Sequence, residues 1–150
     1  MDNARQFAGL FLQSCVRFAG DRNGLRDWAH RTGLADVPEP ARAAFLHGVP
    51  GEALDASNPN GKFVLLSDDA GGCSVVAEMA NGPALFDALE ADMRQAGIGF
   101  TLSRDAADPE EKQLRHREYA ASQGARRWRI VVGTVKDPQG GQAMLTANPG

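Results

Sequence analysis

Apolar residues recur every three or four positions through the first fifty residues of the chain. Over residues 3–19 this spacing predicts an amphipathic helix with one buried face. Shorter patterns predict a second helix over about residues 24–32 and a third that begins at Pro38. We therefore expect a helical N-terminal part over residues 1–49.

The pattern changes after this helical part. Residues 50–61 are rich in proline, glycine, asparagine and aspartate, which predicts an extended loop. Two apolar, partly β-branched runs follow at residues 63–66 and 74–77, separated by a polar turn at residues 68–72. Two such runs around a glycine-containing turn predict a β-hairpin.

A helix and a series of strands complete the chain. The sequence Asn81-Gly82-Pro83 predicts the start of a fourth helix, which ends at Gly97. Alternation over residues 98–103 predicts a half-buried strand, and the acidic residues 105–111 predict a mobile loop. Three more strands, with turns at Gly124 and residues 138–141, are predicted over residues 113–121, 126–135 and 142–147.

The resulting element order is ααα-ββ-α-ββββ. It predicts an α+β fold in which helices pack on an antiparallel sheet of about five or six strands, over residues 62–148. A chain of 150 residues is long enough for one core, so we expect a single domain, residues 1–150. The order of elements resembles that of profilin-like and PAS-like domains, an analogy that fixes no function.

Composition and charge exclude few classes of protein. The chain is 43% hydrophobic and 23% charged, with a net charge of −3, as is typical of a soluble globular domain. The mild negative charge disfavours nucleic acid and anionic membrane surfaces as partners. No apolar run approaches the roughly 20 residues that cross a bilayer, so we expect no membrane span.

Signatures of catalysis are missing from the sequence, which has no G-x-S-x-G, H-E-x-x-H or C-x-x-C motif and no phosphate-binding glycine loop. We therefore expect no catalytic residue, cofactor or metal. His116 and Glu118 are the sharpest exception, because residues two apart on a strand share a face and this pair can hold one ligand or share a proton. The alternative is that both lie at the sheet rim, hydrogen-bonded to the backbone or to each other.

Arginines mark the most suggestive surface. Arg115 and Arg117 share one face of a predicted strand with Tyr119, and we expect Arg127 and Arg129 on the same face of the next strand. Such a face suits an acidic protein partner, because guanidinium groups are favoured at interfaces. Replacing Arg117 and Arg129 with Glu is then expected to abolish partner capture without unfolding the domain. Alternatively, the acidic loop before this strand folds over the arginines, or water solvates them.

The two cysteines, Cys15 and Cys73, form one candidate disulfide. Cys15 lies on the apolar stripe of the first helix and Cys73 opens a core strand, so both are expected to point inward. Two free buried thiols are the alternative. A bridge would indicate an oxidising compartment. Residues 1–4 lack the basic start and apolar run of a signal peptide, so we expect Met1 to replace a removed leader.

Several of these segments together resemble a known family. The sequence FLQSC in the first helix is followed by FLHGVPG at residues 45–51, by FVLL at residues 63–66 and by GCSVV at residues 72–76. Over about residues 7–79 the chain resembles an uncharacterised family of small proteobacterial exported proteins or lipoproteins. The resemblance implies export and a Cys15–Cys73 disulfide, and it brings no catalytic residues.

These observations predict a non-enzymatic binding module, exported to the periplasm or cell envelope. The leading hypothesis is a protein-binding domain of the inhibitor or immunity type that uses the arginine face. A small-ligand sensor domain is one alternative, and a hydrolase with its site near His116 and Glu118 is another.

Overall fold

A computed structural model describes residues 2–111, 113–135 and 140–149. Side-chain caps define two of the helix starts, because Asp21 accepts a hydrogen bond from the backbone of Gly24 and Asn81 accepts one from that of Ala84. The helices are α1 (Asp2–Phe11), α2 (Arg22–Arg31), α3 (Ala41–Leu46) and α4 (Gly82–Gln95), and a π-helical segment, Leu12–Val16, continues α1.

The strands form one antiparallel sheet. They are β1 (Ala35–Asp36), β2 (Gly51–Asp55), β3 (Phe63–Asp68), β4 (Cys73–Ala80), β5 (Gly99–Ala107), β6 (Leu114–Gln123), β7 (Arg126–Val135) and β8 (Gly141–Pro149). Their order across the sheet is β1-β2-β3-β4-β8-β7-β6-β5. The predicted α+β class and the β3–β4 hairpin are confirmed. The predicted turn residues Pro138 and Gln139 lie outside the described residues.

The predicted number of five or six strands is wrong, because the described sheet has eight. The two additional strands, β1 and β2, lie in the stretches predicted to be helical and loop. β1 has only two residues, too few to show alternation. In β2, Ala53 and Leu54 are buried in succession because each face of this strand is covered, so no alternation is visible there either.

Strand β5 is also longer than predicted. It runs on to Ala107, so the first three residues of the predicted acidic loop belong to the sheet. Asp105 stands opposite Arg117 of β6, and the ion pair between these two residues accounts for an acidic residue in a strand. A bulge at Ser103 shifts the register within β5.

The two faces of the sheet are covered unequally. The inner face packs against α1, α2 and α4 and holds the larger core. On the outer face, α3 packs over β2 and β3 around a smaller cluster that includes Leu46, Ala53 and Val76. The outer face of β8, β7 and β6 bears half-exposed side chains such as Met144, which is 44% exposed. The largest fully buried side chains are Phe7, Phe11, Leu54, Phe63, Leu65, Val75, Leu85, Leu89, Met93, Tyr119, Ile130 and Leu145.

The predicted disulfide is confirmed. Cys15 in the π-helical segment and Cys73 at the start of β4 are joined by an S–S bond of 2.07 Å, and their Cα atoms are 5.3 Å apart. Both cysteines are buried, as their positions on the apolar stripe and the core strand predicted. In the described ranges, no helix has both the length and the apolar character needed to cross a membrane.

Candidate functional site

The predicted arginine face does not exist as one surface. In the β6–β7 pair, odd-numbered residues of β6 stand opposite even-numbered residues of β7, so Tyr119 faces Ile130 while Arg129 stands opposite Ala120. Arg115, Arg117 and Tyr119 therefore lie on the inner face, and Arg127 and Arg129 lie on the outer face. The expectation of a shared face is wrong because it depends on a register that differs by one residue.

The arginines of the inner face are neutralised within the protein. Arg117 binds Asp105 at 2.9 Å and approaches Glu90 of α4 at 3.4 Å. Its guanidinium lies 3.8 Å from the centre of the Phe86 ring. Arg115 binds the other oxygen of Asp105 at 2.7 Å, and this hydrogen bond is the main reason that the pKa of Asp105 is lowered. Asp105 thus neutralises these arginines from the neighbouring strand β5 rather than from a loop that folds over them.

Tyr119 belongs to the core rather than to a surface. It is fully buried, and its hydroxyl donates a hydrogen bond of 2.6 Å to Glu90 Oε2. Burial first, and then the neighbouring Glu90, raise the pKa of Tyr119 to about 12. Glu90 also approaches Arg117, so this group of side chains joins α4 to β6 and has the geometry of a structural contact.

His116 and Glu118 share the outer face of β6, as predicted, but they do not bind each other. Glu118 accepts a hydrogen bond of 2.8 Å from Arg129, which lowers the pKa of Glu118. His116 Nε2 instead lies 3.0 Å from Asp108 Oδ2. Trp128 and Ile130 of the neighbouring strand do not share this face, because both side chains are buried in the inner core.

The loop between β5 and β6 holds Asp108 in place for this contact. Asp108 Oδ1 accepts hydrogen bonds from the backbone N–H groups of Glu110 and Glu111 at 2.9 and 3.0 Å. These two bonds are the main reason that the pKa of Asp108 is lowered. The Asp108 carboxylate accepts this hydrogen bond, so His116 Nε2 is the protonated donor. Nδ1 is then the ring nitrogen that can gain or lose a proton.

The Nδ1 side of His116 faces a groove. This groove, called the α3 groove below, lies between α3 and the outer face of β4, β6, β7 and β8 and has a volume of about 560 Å³. That volume is within the range of small-molecule sites. Its lining residues are Ala41, Ala44, Phe45, His47, Val76, Leu114, His116, Gly133, Thr134, Gln142, Ala143 and Met144.

Glycine at position 133 leaves the floor of the α3 groove open. A Cβ atom there would lie 3.9 Å from His116 Nδ1 and 4.0 Å from Cε1, which are ordinary contact distances. The space is therefore large enough for a side chain that the sequence does not supply. Across the groove, His47 ends α3 in the left-handed conformation, with φ 52° and ψ 37°. A residue other than glycine rarely adopts that conformation.

Two more depressions lie on the outer face. One, of about 300 Å³, shares Phe45, Val76 and Gln142 with the α3 groove and lies on the side of Lys62. The other, of about 600 Å³, lies at the β5–β7 end of the sheet around Arg129. The Glu118–Arg129 ion pair lines this larger depression, so charged groups there already bind one another.

A third cluster contains residue types that bind metals. His30, Asp36 and Glu52 have ligand atoms within 4.8 Å of one another. His30 Nε2 already lies 3.1 Å from Glu52, and Arg26 Nε lies 3.2 Å from the same carboxylate. The positive charge of Arg26 opposes binding of a cation, so we interpret the cluster as an ion-pair network that ties α2 to β2.

Comparison with known proteins adds no assignment to this geometry. No family model matches the chain, and no curated protein is significantly similar to it in sequence.

The contact of Asp108 with His116 and the α3 groove were not predicted from the sequence. Two local signals pointed to them. Asp108 begins Asp-Pro-Glu-Glu, and an aspartate often accepts hydrogen bonds from the backbone two and three residues further on. Gly133 interrupts an apolar strand, which often marks a place where another group approaches the backbone.

Proposed function

We propose that this protein is a non-enzymatic binding module that holds a small, mainly apolar ligand in the α3 groove. The observation that carries the proposal is an apolar groove with one imidazole fixed at its wall. Phe45 of α3 and Met144 of β8 supply apolar contact area, and His116 supplies a polar atom in a defined orientation. Apolar walls with a few oriented polar groups are typical of small-molecule sites.

The hydrolase alternative finds less support in the groove. Among the described lining residues the only side-chain hydroxyl belongs to Thr134. That side chain points to the opposite side of the sheet, because its Oγ1 lies 3.5 Å from the position that a Cβ on Gly82 would take. The His116–Asp108 pair therefore has no serine, threonine or cysteine nucleophile beside it within this set of residues. Binding accounts for the groove without one.

A protein partner is the second candidate function. It is favoured by the uncovered outer face of β6 to β8, where Met144 is half exposed and Arg127 and Arg129 are both exposed. An inhibitor or immunity-type domain would use this face, with an acidic partner next to Arg127. Arg115, Arg117 and Tyr119 take no part in this version, because they lie on the inner face.

We also propose that the protein acts in the periplasm or cell envelope. The Cys15–Cys73 disulfide supports this location, because disulfides persist in oxidising compartments and are rare where thiols are kept reduced. Membership of the proteobacterial exported family is part of the same proposal. Thiol titration of protein taken directly from cells tests it, and two free thiols would count against it.

Binding of N-phenyl-1-naphthylamine, a neutral apolar fluorophore, tests the groove. Wild-type protein is expected to bind it saturably. Gly133→Val fills the floor of the α3 groove and is expected to weaken binding at least about tenfold, since each 1.4 kcal/mol of lost contact is a factor of ten. Gly99→Val is the matched control, because a Cβ at Gly99 lies 3.8 Å from the carbonyl oxygen of Ser122, outside the groove.

Ala44→Leu narrows the same groove from the α3 side and provides a second variant that does not alter the sheet. Circular dichroism shows whether each variant is folded. Equal binding by wild type, Gly133→Val, Ala44→Leu and Gly99→Val would contradict the proposal, as would the absence of saturable binding to wild type.

A further inference from the structure

We infer that the ligand of the α3 groove is an apolar carboxylic acid, whose carboxylate is bound by the imidazolium forms of His116 and His47. This inference rests on the proposed function and names its ligand class. Apart from Thr134, whose hydroxyl points to the opposite side of the sheet, the polar side chains that line the groove are His47, His116 and Gln142, and no aspartate or glutamate of the described residues lines it. Two groups that become cations, with no anion beside them in the lining, favour a negatively charged head group.

The orientation of His116 supports this assignment. Asp108 accepts from Nε2, so Nδ1 is the atom that faces the groove. Within the described part of the chain, no hydrogen bond is made by Nδ1. When the ring takes up a second proton, Nδ1 becomes a donor toward the groove while Asp108 remains bound to the opposite nitrogen. An imidazolium held between two carboxylates, one from the protein and one from the ligand, is a favourable arrangement of charge.

Charged groups lie around His116 on its own strand face, on the neighbouring strands and in the β5–β6 loop. Asp108 lies against the ring from the β5–β6 loop, and Glu118 lies two residues along the same strand face. Arg104 of β5 and Arg129 of β7 carry positive charge on this side of the sheet, and both act on Glu118. From α3, His47 adds a second imidazole to the lining of the groove.

The conformation of His47 is the independent observation. A left-handed backbone is unfavourable for histidine, and glycine is the usual residue at this position after a helix. The next residue, Gly48, is left-handed as well, with φ 78°, so two successive residues after α3 adopt this conformation. A residue in this conformation that lines a groove indicates a functional constraint at that position.

The apolar part of such an acid fits the remaining lining. Phe45, Leu114 and Met144 supply the apolar contacts, and Gly133 leaves room at the floor. Because binding favours the protonated imidazoles, it takes up protons, and affinity increases as the pH falls through the range in which histidines titrate.

Three probes with the same tail test the ligand class. Octanoate, 1-octanol and octylamine are titrated by isothermal calorimetry at pH 8 and pH 6. We expect octanoate to bind most tightly at pH 6, with its affinity about tenfold higher than at pH 8, which corresponds to an average uptake of about half a proton on binding over these two pH units. Octanol is expected to bind more weakly with no such increase, and octylamine to bind least.

The outcomes separate this inference from the proposed function. Equal or tighter binding of octanol or octylamine at pH 6 would overturn the carboxylate assignment and leave the groove as a site for apolar ligands. Failure of all three probes together with N-phenyl-1-naphthylamine would overturn both. Octanoate affinity that is the same at both pH values would overturn the role of the histidines.

Histidine variants locate the effect. His116→Gln and His47→Gln are each expected to lower octanoate affinity at pH 6 at least about fivefold, a cost typical of one charge-assisted hydrogen bond. The affinity of both variants for octanol is expected to stay within about twofold of the wild-type value, because the hydroxyl head group carries no charge. His30→Gln is the matched control, because His30 lies on α2, outside the groove. A decrease that His30→Gln reproduces would contradict the inference.

Discussion

The hydroxyl of Tyr119 donates a hydrogen bond of 2.6 Å to Glu90, and this contact links strand β6 to helix α4 across the inner face of the sheet. Arg117 lies beside both groups and binds Asp105 of β5. One helix and two strands thus meet at a polar cluster on the edge of the main core. Arg117, which the sequence predicted to be part of a binding surface, therefore stabilises the contact between the helix and the two strands.

The titration of Tyr119 tests this cluster directly. Its pKa of about 12 in the folded protein exceeds the usual value of 10, so below pH 10 both the folded and the unfolded state keep the phenol proton. Between pH 10 and pH 12 mainly the unfolded state loses it, so the free energy of unfolding decreases by about 2 to 3 kcal/mol across that interval. Tyr119 is the only tyrosine, so absorbance at 295 nm reports on it alone. A midpoint near pH 10 in the folded protein would contradict the buried contact.

Charge reversal at Arg117 and at Arg129 is expected to have different effects. The Arg117 side chain is 19% exposed and lies between two carboxylates, so Arg117→Glu places a third negative charge beside them and destabilises by about 3 kcal/mol or more. The Arg129 side chain is 59% exposed, and Arg129→Glu is expected to cost about 1 kcal/mol or less. Urea denaturation of both variants measures the difference. Equal urea midpoints for the two variants would contradict the placement of Arg117 between the carboxylates of Asp105 and Glu90.

Removing the disulfide is expected to lower stability substantially. The bridge joins residues 58 positions apart, and closing a loop of that length stabilises the folded state by about 4 kcal/mol in the chain-entropy model. The double variant Cys15→Ala and Cys73→Ala avoids leaving buried thiols. Its urea midpoint, compared with that of wild type with and without reductant, measures the contribution. An unchanged midpoint would mean that the tie between the first helical segment and β4 adds nothing.

His47→Gly is expected to stabilise the protein while it weakens binding in the α3 groove. Glycine removes the cost of the left-handed backbone, and we expect a gain of about 0.5 to 1 kcal/mol in the free energy of unfolding. Gly48→Ala is the control with the opposite expected sign. Gly48 has φ 78°, so adding a Cβ there is expected to lower the free energy of unfolding by a similar amount. Chemical denaturation measures both variants. Loss of stability in His47→Gly would show that the histidine is retained for packing rather than for the groove.

Features that depend on local sequence patterns could be predicted, whereas features that depend on strand pairing and register could not. The helical spacing of apolar residues, the β3–β4 hairpin and the inward-facing cysteines are local patterns, and the structure confirms each of them. Strand β1 has only two residues and β2 is buried on both faces, so neither shows the local alternation that predicts a strand. The placement of Arg127 and Arg129 depends on a β6–β7 register in which a shift of one residue reverses the face.

The candidate site was less predictable than the fold. The α3 groove exists because a six-residue helix folds back over one end of the sheet and leaves the neighbouring strands uncovered. That arrangement depends on tertiary packing, so neither the groove nor the Asp108–His116 contact follows from spacing in the chain. His116 was identified as a candidate from its residue type, but the partner assigned to it was Glu118 rather than Asp108.

The most direct test of the α3 groove as the binding site is an NMR titration of ¹⁵N-labelled protein with octanoate at pH 6. The account predicts that the largest changes in backbone amide shifts cluster at His47, Leu114, Gly133 and Met144, on both sides of the groove. Changes centred on the Arg129 depression or on the His30 cluster, or no saturable change at all, would contradict it.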